Sequence, residues 1–446
     1  MEQQPLSYEE LCLHLAADGA ASYRILARCE NEQESGAFAP PTEYLRPSAT
    51  DGAPRRDIHS AASQDAFGEP ADSLPFTAST AAETGDRLFR ALLPDRVRDL
   101  FQRAIGRTEK RSRIGLRLRI ELDYHDARVA WLARLPWELL FWAEDHRFLA
   151  LSRTSPVVRG GMVSHPARAL ALSGPLDILA VAASPSGLPE LDLARERRGL
   201  EAALAAGPSA RATFVEPAGA EELRGIWSRQ AFQVLHFMGH GGFDAASGHG
   251  RLMLARADRS PEPLVDEQLV ELLDRDSPPA LVVLNACHGA VGHVIPQGYP
   301  AGLAPSLILA GLPAVVAMRQ AIPDSAAIAW SGAFYGALAS GQPLEAAVAE
   351  GRKSIHCLDP SAADWAIPAL FLGSVQPHVA DAEAHPGAPA RHTLVTVKDV
   401  EGVHNLEIVG RSVTGSGRPG DAERVEVRTG TVRNVGKARI VGSEET

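Results

Sequence analysis

Two side chains capable of chemistry, His240 and Cys287, each follow an apolar run of strand length, at residues 234–239 and 281–286. Runs of this kind are typical of buried parallel strands. Open α/β sheets place their reactive groups at the carboxyl ends of such strands. The pattern therefore predicts that a base and a nucleophile meet at one edge of a sheet, each where its strand ends.

A thiol is mostly protonated near neutral pH, so a nucleophilic Cys287 requires a base close by. His240 can take that proton and later return one to a leaving amine. Glycines flank His240, and the backbone N–H groups of Gly241 and Cys287 are candidate donors to the oxyanion of a tetrahedral intermediate. No residue of the sequence stands out as a third member that orients His240.

The alternative interpretation is structural, because a cysteine in a strand is usually a small buried hydrophobe and a histidine among glycines can mark a turn. His236, in the middle of its run, and Cys357, at the end of a predicted helix, are interpreted as packed side chains. His288 is a rival base, but adjacent residues of an extended segment point to opposite sides, which favours His240.

Two acidic residues are candidates for a substrate pocket. Asp324 follows the strand after that of Cys287, where it would favour a basic side chain before the scissile bond. The alternative is that Asp324 caps the helix that begins at Ser325. Asp244, close to His240 in the chain, carries the same ambiguity.

Composition narrows the class of protein. The 446 residues are 45% hydrophobic, which suits two or three domains with at least one large core. A net charge of -11 argues against nucleic-acid binding, which needs a basic surface. No apolar stretch has the length of a membrane span and the first residues lack an export signal, so no membrane association and a cytoplasmic location are expected.

The cysteines indicate neither a disulfide framework nor a metal site. Four cysteines are scattered without close pairing, which fits free thiols in a reducing compartment. No CxxC or HExxH spacing occurs, and His288 and His293 beside Cys287 have no further ligand cluster. We therefore expect no metal and no cofactor.

Residues from 176 onward alternate between strand and helix patterns with short connections, which predicts a doubly wound, mostly parallel sheet. The predicted strands are 176–183, 212–215, 234–239, 281–286 and 313–318. The predicted helices are 194–205, 221–228, 267–273, 303–309, 325–339 and 344–355.

The N-terminal region has a different pattern. Alternating runs at 11–15 and 23–29, separated by an Asp-Gly turn, predict a hairpin. Residues 35–84 are rich in Pro, Ala, Ser, Thr and Gly, which predicts a flexible loop. The strict alternation of 114–122 predicts a strand with one wet side. The aromatic segment 135–141 predicts a short helix that docks this region onto the next domain.

The C-terminal region contains short alternating runs in two loosely matching halves. Val395, Val397, Val403, Asn405 and residues 408–410 correspond to Val425, Val427, Val432, Asn434 and residues 440–442. This β repeat fits a small β domain, an edge strand for a partner, or a motif that stacks on copies of itself.

The predicted domains follow from these patterns. They are an N-terminal β-containing extension at 1–165 with the flexible loop 35–84, a core at 166–376, a linker at 377–391, and a β-rich repeat tail at 392–446.

Five motifs, in order along the chain, resemble the CHAT family of caspase-like cysteine peptidases, in the clan that includes separases and gingipains. They are Leu-Pro-Trp-Glu-Leu-Leu at 135–140, Leu-His-Phe-Met-Gly-His-Gly-Gly at 235–242, Val-Leu-Asn-Ala-Cys at 283–287, Ala-Pro-Ser-Leu at 304–307 with Ala-Gly-Leu-Pro-Ala-Val-Val-Ala-Met at 310–318, and Asp-Trp-Ala-Ile-Pro at 364–368. The resemblance covers roughly Tyr8 to Leu372. It implies a caspase-like fold with an N-terminal β-containing extension, a His240–Cys287 dyad, and oxyanion donors at Gly241 and Cys287.

The sequence departs from the family pattern in two places. His288 follows the cysteine where many members carry a small or acidic residue, and residues 290–300 are rich in Gly, His and Pro. No 34-residue helical repeat of the tetratricopeptide kind precedes the core. Regulation is therefore expected from the tail, which also resembles amyloid-like signalling motifs of immune receptors and effectors.

The expected function is a cytoplasmic cysteine endopeptidase that cleaves a partner protein as a regulated bacterial defence or cell-death effector. A sensor or self-association through residues 392–446 would recruit it. One alternative is a catalytically degenerate CHAT-like adaptor that acts through its C-terminal β tail. The other is a thiol hydrolase of some small molecule.

Overall fold

Short runs of leucine and β-branched residues, bounded by glycine, proline or charge, form the strands of the fold. The computed structural model describes residues 6–19, 22–41, 77–162, 170, 172, 176–205, 210–216, 219–244, 249–273, 278–286 and 302–373. It also describes the backbone of six short strands between residues 393 and 443. None of the described helices is both long and apolar enough to cross a membrane.

The first part of the chain combines strands with two amphipathic helices. Its elements are β1 Ser7–Ala17, β2 Tyr23–Cys29, β3 Glu32–Phe38, α1 Ala78–Leu92, α2 Asp95–Glu109, β4 Ile114–Leu122, α3 Ala127–Ala130, β5 Phe141–Trp142, β6 Arg147–Phe148 and β7 Val157–Gly161. The predicted hairpin is present, because β1 and β2 pair antiparallel with Leu11 opposite Cys29.

The predicted loop 35–84 is wrong at both ends. Residues 35–38 belong to β3, which pairs antiparallel with β2. Residues 78–84 belong to α1, where Thr77 caps the helix by accepting from the Thr80 N–H at 3.3 Å. Small residues made these segments look loop-like, whereas pairing with β2 and the Thr77 cap order them. Residues 42–76 lie outside the described residues.

The second part carries the predicted alternation. Its elements are β8 Leu176–Ala183, α4 Leu193–Ala205, β9 Ala210–Val215, α5 Ala220–Trp227, β10 Val234–Asp244, β11 His249–Ala255, β12 Pro261–Val265, α6 Asp266–Leu273, β13 Leu281–Asn285, α7 Leu303–Leu309, β14 Ala314–Met318, α8 Asp324–Ala339, α9 Leu344–Leu358 and β15 Pro368–Leu372. The hairpin β11–β12 is additional to the prediction.

One sheet joins both parts of the chain. The strand order is β9-β8-β10-β13-β14-β15-β7-β4-β1-β2-β3; in addition, β11 pairs with the distal half of β10, and β12 pairs with β11. Strands β8, β9, β10, β13 and β14 are mutually parallel. The mostly parallel α/β fold is therefore confirmed.

Alternate side chains of the central strands enter two separate cores. Leu281 and Val283 pack on the face that α4, α8 and α9 cover, while Val282 and Leu284 pack on the face that α5, α6 and α7 cover. Helices on both faces explain why these strands are continuously apolar. This is the doubly wound arrangement that the sequence predicted.

The predicted boundary between residues 165 and 166 does not separate two folding units. Residues 1–378 form one compact unit. Strand β7 pairs with β15, where Arg159 lies opposite Phe371, and with β4 on its other side. The first part of the chain therefore continues the sheet of the second part.

Strand β4 is not wet on one side, contrary to the sequence prediction. Its Arg119 and Glu121 are both buried and lie 3.3 Å apart, and Arg119 Nη2 also donates to the Leu372 carbonyl at 2.9 Å. The alternating charged residues of this strand predicted a solvent-exposed face. Arg119 and Glu121 are instead buried, and they pair with each other.

A buried ion pair holds the segment after β4 against the sheet. The predicted short helix is a single 3-10 turn, Trp137–Leu139, and it carries Glu138 into the interior. Arg159 donates to both carboxylate oxygens of Glu138, at 2.8 and 2.7 Å. Burial alone would raise the pKa of Glu138, but Arg159, Arg319 and Arg352 hold it below its ordinary value.

Residues 379–446 form a second compact unit. Its strands are β16 Thr393–Val397, β17 Val400–Glu401, β18 Asn405–Arg411, β19 Val425–Thr429, β20 Val432–Arg433 and β21 Lys437–Ser443. They pair in parallel as β16 with β19, β17 with β20 and β18 with β21. The predicted linker 377–391 lies outside the described residues.

All three pairs of the tail have the same register. Thr393 lies opposite Val425, Val400 opposite Val432, and Asn405 opposite Lys437, so each partner is 32 residues further along the chain. The predicted match of 408–410 with 440–442 is confirmed. The predicted partners of Val395 and Asn405 were wrong by two and three residues, because the predicted match let the shift vary along the repeat, whereas the pairing keeps it at 32 residues throughout.

Replacement of Arg159 by methionine is expected to destabilise the protein by about 3–5 kcal/mol, because it leaves the Glu138 carboxylate buried without its bidentate partner. The folded-state pKa of Glu138 is depressed, so the pair stabilises above the ordinary glutamate pKa of about 4.3 and loses its contribution as pH falls through the folded-state pKa. Urea unfolding at several pH values measures both effects.

The matched control is Arg90→Gln, which breaks an exposed pair with Asp86 one helical turn away. Exposed pairs contribute little, so the control should leave the urea midpoint nearly unchanged. Equal losses in Arg159→Met and Arg90→Gln would contradict a special role for the buried pair.

Candidate active site

His240 lies where β10 changes partners. The parallel pairing of β10 with β13 ends at Met238, opposite Asn285, and the pairing with β8 ends at Gly239, opposite Ala183. From His240 onward β10 pairs antiparallel with β11. The prediction that the strand ends at His240 was therefore wrong, although His240 does lie at the carboxyl edge of the parallel sheet.

Gly239 makes this edge possible. A Cβ at Gly239 would lie 2.8 Å from the Ala183 carbonyl oxygen and 2.7 Å from the Phe237 ring, so any larger residue would push β8 away. Glycine at position 239 is therefore required for the packing of β8 against β10.

A main-chain carbonyl orients the His240 ring. His240 is 8% exposed, and its Nε2 lies 2.8 Å from the carbonyl oxygen of Pro189, in the segment between β8 and α4. A carbonyl only accepts hydrogen bonds, so Nε2 carries a hydrogen and the neutral ring has its lone pair on Nδ1. The sequence contains no sign of this contact, because any residue at position 189 would offer the same oxygen.

Cys287 and His288 lie outside the described residues. Ala286 is the last described residue before Cys287. It follows β13 directly, and its side chain is buried. Gly241 is buried and lies opposite Leu252 of β11. Asp244 is the last residue of β10, and its side chain is outside the described part of the structure.

A cleft opens beside these strand ends. Gly239, Asn285 and Ala286 form its floor. One wall consists of residues just before and within α4, namely Leu191, Asp192 and Glu196. The other wall consists of residues around the start of α8, namely Ile322, Asp324, Ala327 and Ile328. Three carboxylates therefore surround a cleft in which no described lining residue is basic.

The two exposed carboxylates of the cleft lie at helix starts. The Asp192 side chain accepts from the Arg195 N–H at 3.0 Å, in the manner of an N-cap. Asp324 is the first residue of α8, but Pro323 holds the cap position and no side chain makes a capping hydrogen bond. The interpretation of Asp324 as the cap was wrong, and its exposed carboxylate lines the cleft.

The third carboxylate, Glu196, belongs to a buried polar cluster. Asn285 Nδ2 donates to Glu196 Oε1, and His236 Nε2 lies 3.6 Å from the same oxygen. His236 Nδ1 is 2.8 Å from the Tyr335 hydroxyl. The prediction that His236 is packed is confirmed, since it has no exposed surface.

The sequence contained a sign of Glu196 that its analysis missed. The buried positions of α4 are Leu193, Glu196, Leu200 and Leu204, at helical spacing. A glutamate among leucines on the buried face must find polar partners. That pattern marks Glu196 as a candidate functional residue.

The three described cysteines are not candidates for the nucleophile, because two have raised pKa values and the third does not line the cleft. Burial raises the pKa of Cys29 to about 11 and that of Cys12 well above its ordinary value, with Glu121 adding to the effect at Cys12. Cys357 is exposed at the end of α9, so the prediction that it is packed was wrong. Among the described residues no group of His, Cys, Asp and Glu side chains could hold a metal ion.

The doubly wound sheet and the histidine at its carboxyl edge agree with the caspase-like fold that the sequence motifs implied. The CHAT domain family matches residues 82–374, which is more than half of the chain. The chain therefore belongs to the CHAT family, as its motifs indicated.

Solved structures of two peptidases are similar to this chain. Separase in the Saccharomyces cerevisiae separase–securin complex matches at 14% identity and a TM-score of 0.35, over 59% of this chain and 16% of that chain. The Arg-specific cysteine proteinase gingipain R matches at 9% identity and a TM-score of 0.36, over 64% of this chain and 69% of that chain. Comparison with curated proteins gives no significant match.

Nitrogen-15 NMR tests the assigned tautomer of His240. Because the Pro189 carbonyl accepts from Nε2, we expect the neutral His240 ring to be protonated at Nε2 and unprotonated at Nδ1. A His240→Gln variant identifies the resonance by its disappearance. A neutral ring protonated at Nδ1 would show that the Pro189 contact does not set the tautomer.

Proposed function

We propose that the protein is a cysteine endopeptidase with His240 as base and Cys287 as nucleophile. The observation that carries the proposal is that Gly239 and Ala286 line the same cleft. His240 and Cys287 are the next residues in their segments, and adjacent Cα atoms are about 3.8 Å apart. We therefore propose that both candidate groups lie at the rim of this cleft.

The mechanism follows from the orientation of His240. With its Nε2–H donated to Pro189, the ring accepts the Cys287 proton at Nδ1, and the thiolate attacks the carbonyl carbon of the peptide bond. The backbone N–H groups of Gly241 and Cys287 are the candidate donors to the resulting oxyanion. His240 then returns the proton to the leaving amine, and water hydrolyses the acyl-enzyme.

The cleft favours a basic side chain before the scissile bond. Asp192 and Asp324 face it from opposite walls, and Glu196 adds a third carboxylate at greater depth. A guanidinium or ammonium group entering there would be attracted to two exposed carboxylates. Asp244 remains a second candidate for substrate contact because of its position four residues after His240.

The biological role we propose is that of a regulated effector in bacterial defence or cell death, acting in the cytoplasm on a partner protein. The second unit supports regulation, because its two halves pair strand by strand with a constant shift of 32 residues. Parallel in-register pairing can continue onto another copy or onto a sensor with a similar repeat. Residues 392–446 are the proposed recruitment segment.

Replacement of Cys287 by alanine is expected to abolish cleavage, because no other described thiol lies at the cleft. Proteomic identification of new protein termini, in cells that express either the wild type or Cys287→Ala, measures the loss. Circular dichroism and thermal unfolding of the purified variant should match the wild type. Termini that appear equally with both proteins would contradict the proposal.

The same cells separate a peptidase from a degenerate adaptor. The adaptor hypothesis expects that Cys287→Ala leaves the cellular phenotype unchanged, whereas deletion of residues 392–446 removes it. The peptidase proposal expects that both changes remove the phenotype, but that only Cys287→Ala removes cleavage of peptides by the purified protein. Hydrolysis of small esters without any peptide cleavage would favour the thiol hydrolase.

Replacement of Asp324 by asparagine is expected to lower kcat/KM by roughly tenfold, or about 1.4 kcal/mol, for peptides with Arg or Lys before the scissile bond. Peptides with a neutral residue there should be unaffected, because only the charge is lost. The control Glu271→Gln removes an exposed carboxylate of α6, on the opposite face of the sheet. Equal effects on basic and neutral peptides would show that Asp324 does not contact that side chain.

A further inference from the structure

A buried polar cluster lies beneath the cleft, on the face of the sheet that α4 and α8 cover. Its members are Glu196 of α4, His236 of β10, Asn285 of β13 and Tyr335 of α8. His236 is fully buried, while Glu196 is 8% and Asn285 7% exposed. The four groups join the two strands that lead to the proposed dyad.

The carboxylate is the centre of this cluster. Glu196 Oε1 accepts from Asn285 Nδ2 and lies 3.6 Å from His236 Nε2, so one oxygen contacts side chains of both strands. A carboxylate in an apolar interior is costly unless it is hydrogen-bonded, so its place on the leucine face of α4 needs these partners. Packing alone would be satisfied by another leucine.

The Tyr335 hydroxyl determines which nitrogen of His236 carries the proton. Burial, and then the Glu196 carboxylate, raise the pKa of Tyr335 well above its ordinary value, so the phenol stays protonated. The Tyr335 hydroxyl can donate to His236 Nδ1, which leaves the Nε2–H of His236 directed at Glu196. The Tyr335 hydrogen bond therefore orients the His236 ring, and Nε2 faces the Glu196 carboxylate at 3.6 Å, beyond hydrogen-bond distance.

The cluster lies next to both reactive positions along the chain. His236 precedes His240 by four residues in β10, and Asn285 precedes Cys287 by two residues. The two strands are in register here, since His236 is opposite Val283 and Met238 is opposite Asn285. A shift of one strand against the other would change the separation of the groups that follow.

We propose that Glu196 is a positioning residue for the peptidase reaction. By accepting a hydrogen bond from Asn285 while its carboxylate faces His236 Nε2 at 3.6 Å, it sets the relative placement of the strand ends that carry Cys287 and His240. The inference rests on the proposed His240–Cys287 chemistry, and it assigns to Glu196 no contact with the reacting atoms. Misplacement of catalytic groups by about 1 Å can cost up to about 100-fold in rate.

The reactivity of Cys287 toward iodoacetamide tests the inference without a substrate. The experiment uses the full chain with Cys357→Ser, because Cys357 is the exposed thiol among the described cysteines. Mass spectrometry follows alkylation of Cys287 from pH 5 to pH 9, a range chosen around the ordinary histidine pKa of about 6.5. We expect Glu196→Gln to slow alkylation near neutral pH about tenfold or more. Tyr335→Phe should slow it less, because it acts only through His236.

A donor–acceptor swap provides the rescue. Asn285→Asp alone sets two carboxylates against each other and should slow alkylation strongly. In the double variant Glu196→Gln with Asn285→Asp, the new amide donates to the new carboxylate, so the contact between α4 and β13 is restored with its direction reversed. We expect the double variant to react faster than either single variant. The control Glu201→Gln, on the exposed face of α4, should leave the rate unchanged.

Peptide hydrolysis separates positioning from other roles. Positioning predicts that Glu196→Gln lowers kcat with little change in KM or in preference for basic peptides. Two results would overturn the inference. One is a raised KM for basic peptides with normal alkylation, which would make Glu196 a substrate-binding residue. The other is a lowered Tm with unchanged alkylation and unchanged kcat per titrated Cys287, which would make it purely structural.

Failure of the proposed function has a different signature. If the wild-type protein hydrolyses no peptide, the peptidase proposal fails. The alkylation series and the swap still report whether Glu196 governs the pH profile of Cys287. Loss of the wild-type pH dependence in His240→Gln, with no effect of Glu196→Gln, would support the dyad and exclude positioning by Glu196.

Discussion

The change of partners in β10 is the constraint on which the site depends. A strand in the middle of a parallel sheet has its backbone groups paired on both sides and offers no opening. Among the described residues, the pairing of β10 with β13 ends at Met238 and that with β8 at Gly239, and from His240 onward β10 pairs with β11. The cleft lies at this point, with Gly239, Asn285 and Ala286 on its floor and residues around α4 and the start of α8 on its walls. The close approach of β8 at Gly239 keeps this point fixed.

Buried charge, rather than apolar packing alone, sets the register around this opening. Glu196 and Glu138 are both carboxylates in the interior, and each has partners from at least two distant elements. Removing one partner of a buried ion pair destabilises a protein strongly, because the other charge stays buried without a partner. Replacing the whole pair by apolar residues of similar volume costs much less stability. A shift that breaks the contacts of a buried carboxylate is therefore strongly destabilising. Buried carboxylates can for this reason keep two strand ends aligned.

The sequence predicted the fold better than the site. Continuous apolar runs identified β8, β10, β13 and β14, because a strand buried on both faces has no other composition available. The extension of β10 beyond His240 was missed, because glycines weaken the strand signal. The burial of β4 on both faces was missed because a sequence pattern does not show which charges are paired. Arg119 and Glu121 pair with each other, which allows both to be buried.

The site residues that were missed share a physical reason. The Pro189 carbonyl belongs to the main chain, so its contact with His240 depends on the path of the segment after β8 and on no particular side chain. Glu196 was visible as a polar residue on an apolar helix face, but its partners come from β10 and β13, far away in the chain. Asp324 was not missed, because it was named as a candidate for the substrate pocket; its alternative role as a helix cap is excluded because Pro323 occupies the cap position.

The N-terminal part of the chain also reaches the cleft through buried charge. Arg319 follows the last residue of β14, its Nε lies 3.6 Å from Glu138 Oε2, and its Nη2 donates to the Arg134 carbonyl at 3.0 Å. The segment that begins at Arg319 leads to Ile322 and Asp324, which form one wall of the cleft. Without Glu138, the guanidinium of Arg159 would lose its buried partner and that wall would lose an anchor. The extension therefore does more than lengthen the sheet, because its Glu138 carboxylate pairs with Arg319, a residue of the second part of the chain beside one wall of the cleft.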